Sequence, residues 1–321
     1  MHILTSRISP LLEILLLPLT LVAAFWFRKI RVETISARFK LTKKILMKIG
    51  VFPIRDHFYE PLFNFNKYVK QWDEPRALPN VHLNVSSQLD LISSFSFRDE
   101  LASFPLERVY TDDFYYRNGS FEGGDAEFYY SFIRDKKPKR IIEIGSGNST
   151  LIALEAIKKN TSENENNATE VLCIEPYPHP WLKRKAGIHI LDEKVENVSL
   201  DVFSKLEEGD ILFIDSSHMV RPEGDVLYEL LHILPHLASG VYIHIHDVFT
   251  PYLYPKDWVS NAVYFWNEQF FLESILVHSK EFKIIGSLYY LLKNHKEEMD
   301  QHFPMMKALG NQPGSFWIQK N

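Results

Sequence analysis

Two short runs combine a carboxylate with an imidazole: Phe213-Ile214-Asp215-Ser216-Ser217-His218 and His244-Ile245-His246-Asp247. Each closes an apolar stretch that reads as a β-strand. A carboxylate beside an imidazole is equipped to move a proton, and such a pair can take one from a substrate hydroxyl. His218, His246 and Asp247 are the candidate catalytic residues. Asp215, His218, His246 and Asp247 are also the oxygen and nitrogen donors a divalent metal could use, although no metal ligand is assigned. Strand alternation places His244 and His246 on one face. The plainer alternative stays open: the histidines satisfy backbone groups or support their neighbours.

A third run is Glu143-Ile144-Gly145-Ser146-Gly147-Asn148-Ser149-Thr150. Gly145 and Gly147 permit a tight turn and close approach of a ligand to the backbone. Ser149 or Thr150 can cap the following helix, whose free N–H groups favour a carboxylate or phosphate. The third glycine of a dinucleotide fingerprint is missing, which disfavours NAD. A fourth position is Glu175, one β-α unit later, where an acid can accept both hydroxyls of a ribose. Together these residues suit a ribose-containing cofactor.

The elements that must hold these residues are legible from hydrophobic period. Arg140–Ile144, Val171–Glu175, Asp210–Asp215, Gly240–Asp247, Phe282–Ile285 and Ser315–Gln319 read as strands. Ser149–Lys159, Asp225–Leu237 and Ala262–His278 read as helices. Strands alternating with helices imply a doubly wound α/β sheet, in which ligands bind at the carboxyl ends of the strands. Residues 36–139 carry shorter signals, with broken helical spacing over Gln88–Phe104 and a helix over Ala126–Arg134. They read as a helical lead-in that caps the domain formed by residues 140–321. Pro251–Pro255 follows the second Asp/His run and reads as a mobile pocket edge. Tyr115, Tyr116, Phe121, Tyr252, Tyr254 and Trp258 could wall an acceptor pocket, or belong to the core.

Residues 1–35 form an apolar extension. Leu11–Phe27 holds seventeen largely apolar residues, about 25 Å as a helix, at the lower limit for a bilayer. Glu13 and Pro18 interrupt it, and Arg28, Lys29 and Arg31 follow. A single membrane anchor, an interfacial helix and an extension without a role are the three readings. The positive flank would keep the rest of the chain in the cytoplasm. The net charge of −5 and pI near 6.2 argue against a general nucleic-acid binder. Cys173 is the single cysteine, so no intrachain disulfide or cysteine zinc cluster exists. It sits in an apolar run and reads as a structural thiol.

Taken together, Arg140–Thr150, Glu175, Ile211–His218 and Gly240–Asp247 resemble the class I methyltransferases that use S-adenosylmethionine (SAM). The resemblance extends to a bacterial group of small-molecule-type methyltransferases of uncertain substrate. It is carried by Ile54–Leu62, Lys137–Gly147, Leu212–His218, His244–Phe249, Phe265–Gln269 and Gly314–Ile318. It implies a Rossmann-like seven-stranded sheet, mostly parallel, with the last strand antiparallel between its neighbours. It implies that Glu143, Gly145 and Gly147 shape the methionine end of SAM, with Ser146, Asn148 and Ser149 in the same loop. Glu175 would hold the ribose, Val195 and Glu196 would approach the adenine, and Asp215 would sit near the amino-acid end or the transferred methyl. The resemblance supplies neither an acceptor nor a metal requirement.

Three functions compete on these residues. One is O-methylation of a small molecule, a sugar or a lipid-linked glycan. A second is a scaffold that binds SAM without turnover. The third is a nucleotide-dependent oxidoreductase, against which the missing glycine counts.

Overall fold

The computed structural model describes residues 2–33, 38–110 and 112–321. Two compact units are present, Met1–Gln71 and Trp72–Asn321. Of the extension over 1–35, residues 1, 34 and 35 lie outside the described residues.

In the first unit, α1 spans His2–Glu33 and α2 spans Lys40–Ile49. In α2 the residues Leu41, Ile45 and Ile49 recur every four positions and form one stripe, with Lys44 and Lys48 along its Leu41 flank and Lys40 and Lys43 on the far side. The helix stops at Gly50, whose φ of 82° is one that L side chains rarely adopt. The end of α1 is tied to the loop beyond α2 through Glu60. Arg31 Nε lies 2.9 Å and Arg55 Nε 3.0 Å from its carboxylate. Burial alone would raise the Glu60 pKa, but the two guanidinium groups outweigh it and hold it below the usual range. Among the described residues, no helix is long and apolar enough to cross a membrane. The reason is visible in α1. Between Glu13 and Arg28 lie fourteen uncharged residues, about 21 Å of helix, short of a hydrocarbon core of roughly 30 Å.

The second unit carries the sheet. Its elements in chain order are α3 (Asp125–Lys136), β1 (Arg140–Ile144), α4 (Asn148–Glu163), β2 (Glu170–Ile174), β3 (His189–Leu191), β4 (Ile211–Ile214), β5 (Tyr242–Ile245), α5 (Glu268–His278), β6 (Phe282–Ser287) and β7 (Phe316–Lys320), with shorter helical turns between them. The strand order is β3-β2-β1-β4-β5-β7-β6, and β7 runs antiparallel to both neighbours. This is the Rossmann-like methyltransferase sheet that the resemblance implies.

Alternation along each strand feeds two cores. Ile141, Val171, Cys173, Ile211, Phe213 and Trp317 pack on α3 and α4 through Phe128, Phe132, Leu151 and Ile152. Ile142, Ile144, Leu212, Ile214, Ile243 and Ile245 face the other side, with Val226, Ile233, Leu272 and Leu276. Every residue of β4 is buried, so its run Ile-Leu-Phe-Ile has no polar alternation. Truncating Phe213 to Ala would cost about 3–5 kcal/mol.

Two helices differ from their sequence expectation. The helix over Asp225–Leu237 breaks into Asp225–Tyr228, a wide π turn at Glu229–Ile233, and Leu234–His236. Pro235 lacks an N–H and cannot continue the ladder. The helix over Ala262–His278 starts only at Glu268, because Asn267 and Glu268 donate their N–H groups to the carbonyl of His218 (3.0 and 3.3 Å).

Candidate active site

Register decides where the site lies. Ile144 pairs with Ile174 and with Ile214, and Ile214 pairs with Ile245. The residues that follow these four isoleucines therefore emerge in a row at one edge of the sheet: Gly145, Glu175, Asp215 and His246. The antiparallel β7 brings its beginning to the same edge, since Phe316 pairs with Ile245.

Gly145 is required by this crowding. Its φ is 79°, and a Cβ there would lie 1.9 Å from the backbone oxygen of Asp215. Two hydrogen bonds pin the turn: Gly145 N–H to Ile174 O (3.0 Å) and Asp215 N–H to Ile144 O (2.8 Å). Gly147 differs, because a Cβ there meets nothing within 4 Å. Below the loop Glu143 is completely buried and accepts hydrogen bonds from Thr150 Oγ1 and Tyr129 Oη. Burial pushes its carboxyl up to about 7 against these donors. Glu143 supports the loop from beneath and lines neither cavity described below. Ser146 and Ser149 are also buried, and Asn148 donates to Ser120 Oγ at 2.8 Å.

A cavity of about 450 Å³ lies against this loop, lined among others by Gly145, Glu175, Tyr177, Val195, Glu196 and Asp215. Glu175 Oε1 accepts the N–H of Tyr177 at 2.7 Å, which fixes its carboxylate at the cavity wall. A second cavity of about 570 Å³ is lined by His246, Asp247, Asp125, Phe249, Tyr254, Trp258, Tyr289 and polar residues including Asp73, Lys256 and Lys293.

His218 joins the two strand ends. Its Nε2 lies 3.4 Å from Asp215 Oδ1 and 3.6 Å from Asp247 Oδ2, and its Nδ1 lies 3.0 Å from Glu268 Oε2. Both His218 and Asp247 have positive φ, 58° and 55°, uncommon for residues with a side chain. Burial alone would lower the His218 pKa, yet Asp215 and Glu268 raise it well above 6.5, which favours the imidazolium form. Burial would likewise raise Asp215, but His246 and His218 hold it below the usual range. Burial raises Asp247 and Glu268. His246 Nε2 stands 3.6 Å from Asp247 Oδ1, and its Nδ1 has no hydrogen-bond partner among the described residues. Burial opposes its charge; Asp247, Asp215 and Asp125 outweigh burial and raise its pKa. His244 is a core residue instead, with Nε2 2.9 Å from Ser315 Oγ and a pKa pushed down by burial.

His218, His246, Asp247 and Asp215 thus come together, with Gly145, Glu175 and Glu196 on the adjoining cavity. Their pairing is with one another, and no group of three or more His, Cys, Asp or Glu that could hold a metal ion occurs among the described residues. The aromatic candidates separate. Tyr254 and Trp258 line the larger cavity. Tyr116, Phe121 and Tyr252 are buried core residues, and Tyr115 receives Arg108 at 2.9 Å away from either cavity. Pro251–Pro255 is held rather than loose: Arg76 donates its N–H to Pro251 O and its Nη2 to Tyr252 O.

Sequence reasoning missed Glu268 and Asp125. Glu268 opens α5 in an apolar context, a place where an acid signals a buried partner. Asp125 follows Gly123-Gly124, and its carboxylate accepts the N–H groups of Gly314 and Ser315 at 3.2 and 2.8 Å. It anchors the approach to β7 beside His246.

Comparison with known proteins bears on this edge directly. A methyltransferase-domain family model matches residues 142–248, which run from β1 through Asp247. An uncharacterized protein of Archaeoglobus fulgidus is 34% identical over 170 residues, covering 48% of this chain and 73% of the relative. The chain carries a methyltransferase domain over residues 142–248. Similar solved structures include the O-methyltransferase from Bacillus cereus in complex with SAH, with 12% identity over 79% of this chain and 96% of that one, and a TM-score of 0.32. The MycE methyltransferase of the mycinamycin biosynthetic pathway, in complex with Mg, SAH and mycinamycin VI, is 13% identical over 60% of this chain and 48% of its own, with a TM-score of 0.35.

SAM is the cofactor that the sequence resemblance implies. The residues at the edge fit it. Gly147 leaves open space over the loop, α4 presents its N-terminus there, and the Glu175 carboxylate at the wall of the smaller cavity is chemically suited to paired hydroxyls.

Proposed function

We propose that the chain transfers a methyl group to a hydroxyl oxygen of a small, polar acceptor held beside His246. One observation carries this reading. The two cavities are walled from neighbouring strand ends, Asp215 lining one and Asp247 the other, with the His218 ring within 3.6 Å of both carboxylates.

SAM, when bound, supplies an electrophilic methyl on a positively charged sulfur. The chain's own groups do the rest. Gly145, Ser146, Gly147, Asn148 and Ser149 receive the amino-acid end, with Glu143 fixing the loop from below. Glu175 accepts the ribose hydroxyls, and Val195 and Glu196 flank the base. The low pKa of Asp215 keeps it anionic, which suits an ammonium group. His246 Nε2 would accept the proton of the acceptor hydroxyl, and Asp247 would stabilise the imidazolium that results. His218 is a positioning residue: as a buried cation it holds Asp215 and Asp247 at a fixed separation. Alignment of acceptor and methyl supplies most of the rate.

The wall of Phe249, Tyr254, Trp258 and Tyr289, with Asp73, Asp125 and Asp257 beside it, suits an acceptor with both apolar faces and hydroxyl groups, as a sugar has. The single, buried Cys173, its thiol pushed up to about 12 by burial, suits a reducing cytoplasmic setting.

The test uses cell extract, enzyme and methyl-labelled SAM, with products separated by mass spectrometry. A labelled O-methyl product that disappears with His246→Asn, while SAM binding persists, is expected. Turnover by His246→Asn at the wild-type rate would sink the assignment.

A further inference from the structure

We propose that the unit Met1–Gln71 is a docking module for an anionic lipid surface, with α2 lying along the bilayer. This goes beyond the methyl-transfer reading and does not rest on it.

The first observation is exposure. No residue of α2 is buried, and its apolar stripe stands in solvent: Leu41 is 79% exposed, Ile45 59% and Ile49 69%. On α1 the large side chains Ile14, Leu15, Leu19, Val22, Phe25 and Trp26 are exposed as well. A soluble protein rarely leaves so much contiguous apolar surface open without a partner for it. The second observation is charge, and it identifies that partner. Residues 1–71 hold twelve Lys and Arg against four Asp and Glu, a net of +8. The whole chain is −5, so the remaining residues carry −13. The net positive charge is confined to the unit that exposes the apolar stripe.

Within α2 the two properties are sorted by face. Lys40 and Lys43 lie on the side away from Leu41, Ile45 and Ile49, Lys44 and Lys48 flank that stripe on the Leu41 side, and the helix has no acidic residue. A helix so divided places its apolar face at the boundary of headgroups and acyl chains and its lysines among anionic headgroups. The negative remainder of the chain is repelled by the same surface, so attraction is local to this unit. The short apolar run of α1 suits an interfacial position better than a crossing.

The experiment is flotation of the full chain with vesicles of phosphatidylcholine alone and of phosphatidylcholine mixed with phosphatidylglycerol. Binding only to the mixed vesicles, weakened by added salt, is expected. Lys43→Gln together with Lys44→Gln weakens binding by about 25-fold, roughly fivefold for each lysine. Lys43→Arg with Lys44→Arg retains it, which separates lost charge from misfolding. Leu41→Asp with Ile45→Asp abolishes it while thermal unfolding stays unchanged. Equal binding to both vesicle types, or to neither, overturns the proposal. So does a concentration-dependent dimer that Leu41→Asp with Ile45→Asp dissolves while vesicle binding persists, because the stripe would then serve a second copy.

Discussion

Alanine at the two glycines of the proposed cofactor loop separates what the fold needs from what the ligand needs. At Gly145 the added Cβ would lie 1.9 Å from the Asp215 carbonyl oxygen, where real contacts exceed 3.0 Å. The Asp215 backbone would have to retreat by about 1 Å, against its 2.8 Å bond to Ile144 O. Such overpacking costs about 1–3 kcal/mol. The φ of 79° adds roughly 1 kcal/mol for a residue with a Cβ. A total near 3 kcal/mol corresponds to a fall in Tm of about 6–12 °C for a domain of this size. Gly147→Ala meets open space and extended φ, so its Tm stays within about 2 °C of wild type. Its effect falls on the ligand: the new methyl group occupies the space over the backbone that SAM approaches, and affinity drops at least about tenfold, near 1.4 kcal/mol. Differential scanning calorimetry and SAM titration read the two effects separately. Wild-type SAM affinity in Gly147→Ala would refute the loop as the cofactor cradle. An unshifted Tm in Gly145→Ala would refute the crowding argument.

Glu175→Gln weakens SAM about 10- to 100-fold through loss of charged hydrogen bonds, with little change in kcat at saturation; equal affinity by calorimetry would remove Glu175 from the ribose. The His246 pKa is raised, so kcat/KM rises with pH through an ionisation above the ordinary 6.5. Asp247→Asn moves that inflection down, and a profile unchanged by the substitution would exclude His246 as the base. His218→Asn keeps the positive φ and leaves Glu268 buried without its partner, costing about 3 kcal/mol. Because the folded pKa of His218 is raised, its stabilisation is complete below pH 6.5 and is lost as pH rises through the folded value. The Tm gap between wild type and His218→Asn therefore narrows in alkali, and a gap that widens there would contradict the imidazolium.

The parts legible in sequence were those set by local pattern. The strand Arg140–Ile144 has the same limits in sequence and structure, the ends of the other five strands read from the pattern shift by at most two residues, and the short β3 was not read from the pattern. The glycine loop, Glu175, Asp215 and the two Asp/His runs were found because they end apolar strands, where an α/β sheet gathers ligands. What escaped is set by distant contacts. Glu268 becomes part of the site only because the backbone of His218 caps α5, fifty residues away in sequence. Asp125 matters because the amides of Gly314 and Ser315 reach it. Neither pairing has a local signature. The aromatics were ambiguous for the same reason: Tyr116 and Tyr254 differ in which face a neighbour covers, not in their flanking residues.

The position of β7 has a consequence for how the molecule is made. This strand is synthesised after β6 yet separates it from β5, and it carries the fully buried Trp317. While the chain is being translated, β5 and β6 wait with open hydrogen-bonding edges for a strand that does not yet exist. The row of strand ends from β2 to β5 can assemble beforehand, but the anchorage of Asp125 on Gly314 and Ser315 cannot. A stop codon before Phe316 would therefore release a protein with a nearly complete glycine loop and an unpaired, aggregation-prone gap between β5 and β6.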